Sequence, residues 1–401
     1  MPKNKRPVPR KTRTTPDEDE ERQAQALAEL ALTIAEQEDA DAAALAALNI
    51  ELGKLVRNAL RKKNDELLYG AIERAKYADI DAYRLLRVTV EEAAATVMLR
   101  REGMPAMEVD AFLLPMFVHS VGGLRRDETF QDDAAFADLR ASLVGAGLES
   151  PQAKVVLISH AYDLDEIDSI SYSHVNEMAR EAAASVGEKK VVATPALERS
   201  ISGWAESGFD AAEGAVELRF LLGFSYKRAD DPFYVAPIDE DAADAWFAAR
   251  LERFRLWTAK ANPLVRRCLA AEPDRLEVNF LYQDLFFGAK EQAMSEGAML
   301  AIMADINHAL ASHALGPDTV RAVVGAADID DELVLRVNVY RDADDALLVS
   351  SDKPFDMMAE LEVEVDDICD ALETIGIAQL LVARRFDRDG VPQDTQPFRR
   401  D

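Results

Sequence analysis

The sequence predicts an α+β protein with a helical N-terminal region, an α/β middle segment and a C-terminal ferredoxin-like sandwich carrying one added strand. Three observations predict it. Residues 319–352 place Leu333, Leu335, Val337 and Val339 on one face and Arg336, Asn338 and Tyr340 on the other, the period of two of a half-buried strand. Residues 18–64 are rich in Ala, Leu, Glu and Lys without an internal proline and carry apolar stripes at helical spacing. Between these regions short apolar runs alternate with helical stretches, which marks an α/β layer.

With 401 residues, 49% of them hydrophobic, the chain can bury a large core in two or three domains. The boundaries expected are a disordered basic arm over 1–17, a helical region over 18–103, an α/β segment over 104–270, the ferredoxin-like domain over 271–386 and a disordered tail over 387–401. The formal net charge is −28, and residues 1–15 hold six positive and no negative charges, so the remainder carries −34. Such a body repels polyanions, which leaves the arm as the one candidate tether for nucleic acid. The two cysteines, Cys268 and Cys369, lie in apolar helical patterns; they build neither a disulfide framework nor a metal cluster and suit a reducing compartment. No apolar run reaches the roughly 18–20 residues that span a bilayer, so a cytoplasmic protein without a membrane partner is expected.

Taken in order, residues 1–15 mix Lys, Arg and Pro without apolar periodicity. Thr15, Pro16 and Glu18 then supply a cap, a first-turn proline and a capping-box partner. Leu27, Leu30 and Ile34 form one helical stripe and Leu45, Leu48, Leu52, Leu55 and Val56 another, with the polar junction 36–41 between them. An antiparallel helix pair is expected. Leu67 to Lys76 and Ile80 to Met98 read as a second pair, the latter capped by Asp79 or Asp81.

Val109 to Val118 reads as a buried strand, although Pro115 demands an edge or a bulge. Asp132 to Val144 is helical, Lys154 to His160 is a second buried strand, and Ser173 to Val186 is a helix capped by Ser171 or Ser173. Residues 187–214 read as irregular, with Val191 to Ala193 a candidate short strand, and Val216 to Tyr226 is a further strand. A long helix runs from a cap at Asp239 to about Lys260, where Asn262-Pro263 should kink or end it. Its Trp246, Phe247, Leu251, Phe254 and Trp257 read as core.

Leu276 to Tyr282 alternates as a strand, and Phe287 to Ala314 is a helix stopped by Gly316-Pro317. After the three strands of 319–352 come a helix striped by Leu361, Val365, Ile368, Leu372 and Ile375 and a last strand, Ile377 to Ala383. Strand, helix, three strands, helix, strand is the order of a ferredoxin-like sandwich with an extra strand, its second sheet face open for dimerisation or a ligand.

Candidates for chemistry are few. The histidines are His119, His160, His174, His308 and His313; the last two are five apart, off the spacing that brings two helical side chains to one metal. His160, Asp163, Asp165, Glu166 and Asp168 cluster after an apolar strand; they suit a hard metal or an acid/base site, or a solvated loop. Gly122-Gly123 with Leu124, Arg125 and Arg126 is a turn that can cradle an anion. Asp328 to Glu332 lacks the glycine and distal glutamate of a calcium loop and reads as a hairpin turn. No P-loop, dinucleotide fingerprint, nucleophile elbow or zincin motif is present. No catalytic, cofactor-binding or metal residue is assigned, and no cofactor is expected.

The helical start, the segment VEEAAATVMLRREG leading into EVDAFLLPMFVHS, and the C-terminal QLLVARRF resemble an uncharacterised family of beta-proteobacterial proteins known only as a domain of unknown function. The resemblance implies a bacterial cytoplasmic protein and no activity. The expected function is a non-enzymatic binding or regulatory protein that forms a homo-oligomer and takes a protein partner or a small ligand. The alternatives are an enzyme with an acidic site near His160 and a nucleic-acid-associated protein tethered by residues 1–15.

Overall fold

The structure, a computed structural model, describes residues 16–37, 42–100, 102–103, 105–120, 130, 132–186, 216–269, 273–330 and 332–399. The basic arm 1–15, the Gly122-Gly123 turn and the candidate strand at Val191 lie outside them. Four helices open the chain: α1 (Pro16–Ala35), α2 (Ala42–Lys62), α3 (Asp65–Ala78) and α4 (Ile80–Ala95). Local chemistry sets their ends. Asn64 accepts from the Leu67 amide at 3.1 Å to start α3, and Asp79 accepts from the Asp81 and Ala82 amides at 2.9 Å to start α4. Leu27, Ala31, Leu52, Val56, Leu68, Leu86 and Val90 are buried in a core continuous with the first sheet. The helix expected to reach Met98 ends at Ala95, and β1 (Thr96–Leu99) follows at once. Thr96 donates to the Asp110 carboxylate at 2.7 Å, which draws the β-branched pair Thr96-Val97 onto the neighbouring strand.

That neighbour is β2 (Met107–Ser120), followed by α5 (Asp133–Gly145), β3 (Lys154–Tyr162), α6 (Leu164–Asp168), α7 (Tyr172–Val186), β4 (Val216–Arg228), α8 (Glu240–Leu269), β5 (Leu276–Phe280) and β6 (Asp284–Leu285). The strands form one sheet in which β4 lies between β2 and β3, while β1, β6 and β5 tile the other edge of β2. Every pairing is antiparallel. The middle segment is therefore α+β, a correction to the expected α/β layer: alternation of strands and helices does not reveal that β4 inserts between β2 and β3. Across β2, α5, β3, β4, α8 and β5 the spatial order β5-β2-β4-β3 gives a split β-α-β arrangement.

Pro115 sits inside this central strand without a bulge in its pairing to Phe220. Its carbonyl accepts from the Leu281 amide at 2.8 Å, so its missing N–H falls in the gap between β6 and β5. The edge that proline requires is local. Opposite Phe112 stands Gly223, where a Cβ would lie 2.2 Å from the ring; only glycine lets this ring lie across β4.

Both faces of the sheet are covered. On one, Phe112, Leu114, Met116 and Val118 pack with Leu139 and Leu143 of α5 and Phe254, Trp257 and Val265 of α8. On the other, Ala111, Leu113, Phe220, Leu222 and Phe224 join α7 and the N-terminal helices. Helix α8 passes through Asn262-Pro263 to Leu269. Trp257, Ala261, Val265 and Cys268 are buried on both sides of the proline, and their packing outweighs the one hydrogen bond it removes. The aromatic stripe of α8 is core only from Phe254 onward, because Phe247 is 56% and Leu251 40% exposed.

Helix α9 (Phe286–Ser312) joins the two sheets. Its first turns bury Phe286, Phe287, Ala289 and Ala293 in the first core, and its last turns bury Ile302, Ile306 and Leu310 in a second. That second core lies under β7 (Val320–Ile329), β8 (Glu332–Arg341), β9 (Leu347–Pro354), α10 (Leu361–Thr374) and β10 (Gln379–Ala383), followed by β11 (Arg385–Phe386), β12 (Pro392–Gln393) and β13 (Gln396–Pro397). The sheet order is β13-β10-β7-β8-β9, with β10 parallel to β7.

The ferredoxin-like arrangement expected of 271–386 does not form, because β5, its intended first strand, pairs with β2 in the other sheet. The open face is also partly covered: Phe386 packs on Val323, Ala327 and Val334. Residues 387–399, expected as part of a disordered tail, include β12, which pairs with β11, and β13, which pairs with β10. Asp387 holds the hairpin turn by accepting from the Asp389 and Val391 amides at 3.0 and 2.9 Å. No helix among the described residues is long and apolar enough to cross a membrane.

Candidate functional site

The acidic cluster chosen from sequence is a helix start. Asp163 accepts from the Glu166 amide and Glu166 accepts from the Asp163 amide, both at 2.8 Å, a reciprocal capping box for α6. His160, buried against Tyr162, meets the same Glu166 carboxylate through Nε2 at 3.1 Å. Asp168 pairs outward with Lys290 at 2.8 Å, and Asp165 is exposed. Among the described residues no group of three His, Cys, Asp or Glu is placed to hold a metal. His308 and His313 are both exposed on the last turns of α9 and beyond it. Of Asp328 to Glu332, Asp328 and Ile329 end β7, Ile329 pairs with Glu332 at the start of β8, and Asp330 follows Ile329 at φ 50.

A different site appears where the α5/α8 face of the first sheet changes from apolar to polar. On β2, Met116, Leu114 and Phe112 give way to Asp110; on β4, Leu221 and Gly223 give way to Ser225 and Lys227, with Asp110 paired to Ser225. Alternation puts all of them on one face. Helix α5 ends at Gly145, and the turn after it delivers Glu149 directly onto Ser225.

Glu149 is 3% exposed. Its Oε2 accepts from the Ser225 hydroxyl at 2.5 Å and the Tyr234 hydroxyl at 2.7 Å, while Oε1 accepts from the Gln283 amide at 3.0 Å. Tyr234 is held in turn by the Ser150 amide at 2.9 Å, and Ser150 donates to Asp231 at 2.7 Å. Burial, and then the charge of Glu149, push the Tyr234 hydroxyl above its ordinary range, so it stays protonated and donates. Lys227, 9% exposed, sits 3.7 Å from the centre of the Tyr234 ring and 2.5 Å from Asp110. Glu108, 3.5 Å from that ammonium, is pushed up by burial and by Asp110.

Above this network opens a cavity of about 400 Å³, lined by Phe112, Trp246, Phe247, Arg250, Tyr282 and Gln283 among others. The size suits a small organic ligand. Arg250 donates to the Leu148 carbonyl at 3.2 Å. Gln283 is 4% exposed, and its Oε1 has no hydrogen-bond partner. The amide cannot turn to relieve this, because its NH₂ must face the Glu149 carboxylate. Sequence reasoning missed these residues. The available signal was a charged residue inside an apolar strand, Asp110 in VDAFLL, and a lysine at the end of the β4 run.

The Ser225 hydroxyl donates its hydrogen bond directly to the Glu149 carboxylate, and the Tyr234 hydroxyl is moved away from neutral pH rather than toward it. A second polar cavity, about 340 Å³, lies between α4, α9 and the segment after β9, lined by Arg87, Lys290, Glu291, Lys353, Asp356 and Glu364 among others. There Arg87 is bonded to Glu91 and Asp356 at 2.8 Å, to Glu291, and to the Tyr83 hydroxyl at 2.8 Å, while Lys353 is bonded to Glu364.

Compared with known proteins, the chain matches no family model, no curated protein and no solved structure.

Proposed function

We propose that this is a non-enzymatic binding protein of the sensor or regulatory kind, which holds a small organic ligand in the cleft above Glu149. One observation carries the reading: a buried carboxylate network ends, at the floor of an aromatic-rimmed cavity, in the partnerless carbonyl oxygen of Gln283. Leaving a buried acceptor unmade costs about 1–3 kcal/mol, a cost that a bound donor removes. The floor is built on β2, β4, the turn between α5 and β3 and the β5-β6 segment, and the rim on α8, so a rigid base faces an element able to register what is bound.

Native mass spectrometry of the full chain purified gently from its host tests this. The expected result is a discrete small-molecule adduct that is lost in Trp246→Ala, a rim variant at a position outside the buried core. An adduct retained at full occupancy in that variant would place the ligand elsewhere and overturn the proposal.

A further inference from the structure

The chemistry of the cleft also selects its ligand, an inference that rests on the binding reading above. Every hydrogen bond that Glu149 accepts comes from a neutral group, Ser225, Tyr234 or Gln283. Among the described residues no cation lies within ion-pair distance of it, although it is 3% exposed. A carboxylate this deep normally has a cationic partner, because desolvated charge is costly without one. The two cations of the cavity lining bond to other groups: Lys227 faces Asp110 at 2.5 Å, and Arg250 donates to the Leu148 carbonyl at 3.2 Å.

The unfilled position on Gln283, a buried residue of the cleft lining, is an acceptor. Gln283 turns its NH₂ to Glu149 and its bare Oε1 away from it. A carboxylate behind an amide polarises that amide and strengthens the carbonyl as an acceptor. The lining holds three carboxylates, Asp110, Glu149 and Asp284, against two cations, Lys227 and Arg250, so its balance of charge is negative and disfavours phosphate or carboxylate ligands. An ammonium meets an acceptor, a carboxylate behind it, and aromatic walls from Trp246, Phe247 and Tyr282. The protein already uses this solution once in the same cleft, where Lys227 lies over the Tyr234 ring with Asp110 beside it.

We infer that the cleft binds a small organic ammonium, an amine whose apolar or aromatic body lies against Trp246 and Phe247 while its N–H donates to Gln283 Oε1. The test is calorimetric titration of the full chain with phenethylamine, phenylacetamide and phenylacetate, which share a ring and differ in the charge of the head group. Phenethylamine should bind at least about tenfold tighter than phenylacetate, the scale of one charge-assisted hydrogen bond. Gln283→Met and Trp246→Ala should each weaken it about tenfold, and Trp246→Ala keeps the test valid should the buried variant misfold. Tighter binding of phenylacetate, lost in Trp246→Ala, would leave the binding site standing and overturn the ammonium. Phenethylamine binding that is equal in wild type and Trp246→Ala would mark attraction to the acidic surface alone and overturn it as well. Absence of binding by all three probes, together with no adduct in the native mass spectrum, would overturn both the ammonium and the site.

Discussion

The cleft at Glu149 and the junction at Arg87 are polar cavities of similar size, about 400 and 340 Å³, and they solve the burial of charge in opposite ways. At the junction one guanidinium gathers Glu91, Glu291 and Asp356, and Arg84 adds bonds to the Met357 and Ala359 carbonyls at 2.9 Å and to Glu360 at 2.7 Å. Charges from α4 and α9 are tied to the segment that follows β9. In the cleft, a carboxylate is held by neutral donors and an amide oxygen is left bare. The difference teaches that internal satisfaction marks a structural joint, whereas a preorganised network short of one partner marks a place for something else.

The largest effect should come from breaking the joint. Arg87→Leu leaves three carboxylates facing one another and should cost about 3 kcal/mol, measured by urea unfolding; a loss below about 1 kcal/mol would mean that the junction is solvated and the contrast false. Next comes the cleft floor. Glu149→Ala orphans Ser225, Tyr234 and Gln283 and should cost about 2 kcal/mol in the same assay. Gln283→Met removes an amide already lacking one partner, so its cost should be about 1 kcal/mol or less, smaller than that of Glu149→Ala. If it equals the cost of a fully satisfied group, Gln283 Oε1 is not bare and the cleft is another joint.

The smallest effect is a pH slope at the junction. Burial pushes Glu91 above the ordinary carboxylate range and Asp356 adds to it, outweighing the pull of Arg87. The folded state therefore keeps a proton that the unfolded chain releases first. The corresponding stability is present below the unfolded value, about 4.3, and is lost as pH rises through the raised folded value. Glu91→Gln should remove that part of the slope in unfolding curves taken from pH 4 to 7, and an unchanged slope would contradict the assignment.

Much of the fold was legible because its signals are local. Asp79 announces a helix start through its own side chain, Gly316-Pro317 ends α9, and the alternation of Leu333 to Tyr340 sets the faces of β8. Little of the site was legible. Glu149, Ser225, Tyr234 and Gln283 come from four separated segments and carry no spacing that marks them as a group. His160 and its acidic neighbours drew attention by lying close in sequence, and that closeness serves the capping of α6.

The sequence by itself determined most of the elements, the acidic body and, among the described residues, the absence of a helix long and apolar enough to cross a membrane, because these depend on residues within a few positions of one another. Only the tertiary structure decided which strands meet. Leu276 to Phe280 alternates equally well for either sheet, and its pairing with β2 was settled by long-range packing that also carries Gln283 beneath the rim of α8. Alternation specifies a strand's two faces and says nothing about its edges, so both the true topology and the cleft it builds lay beyond local pattern.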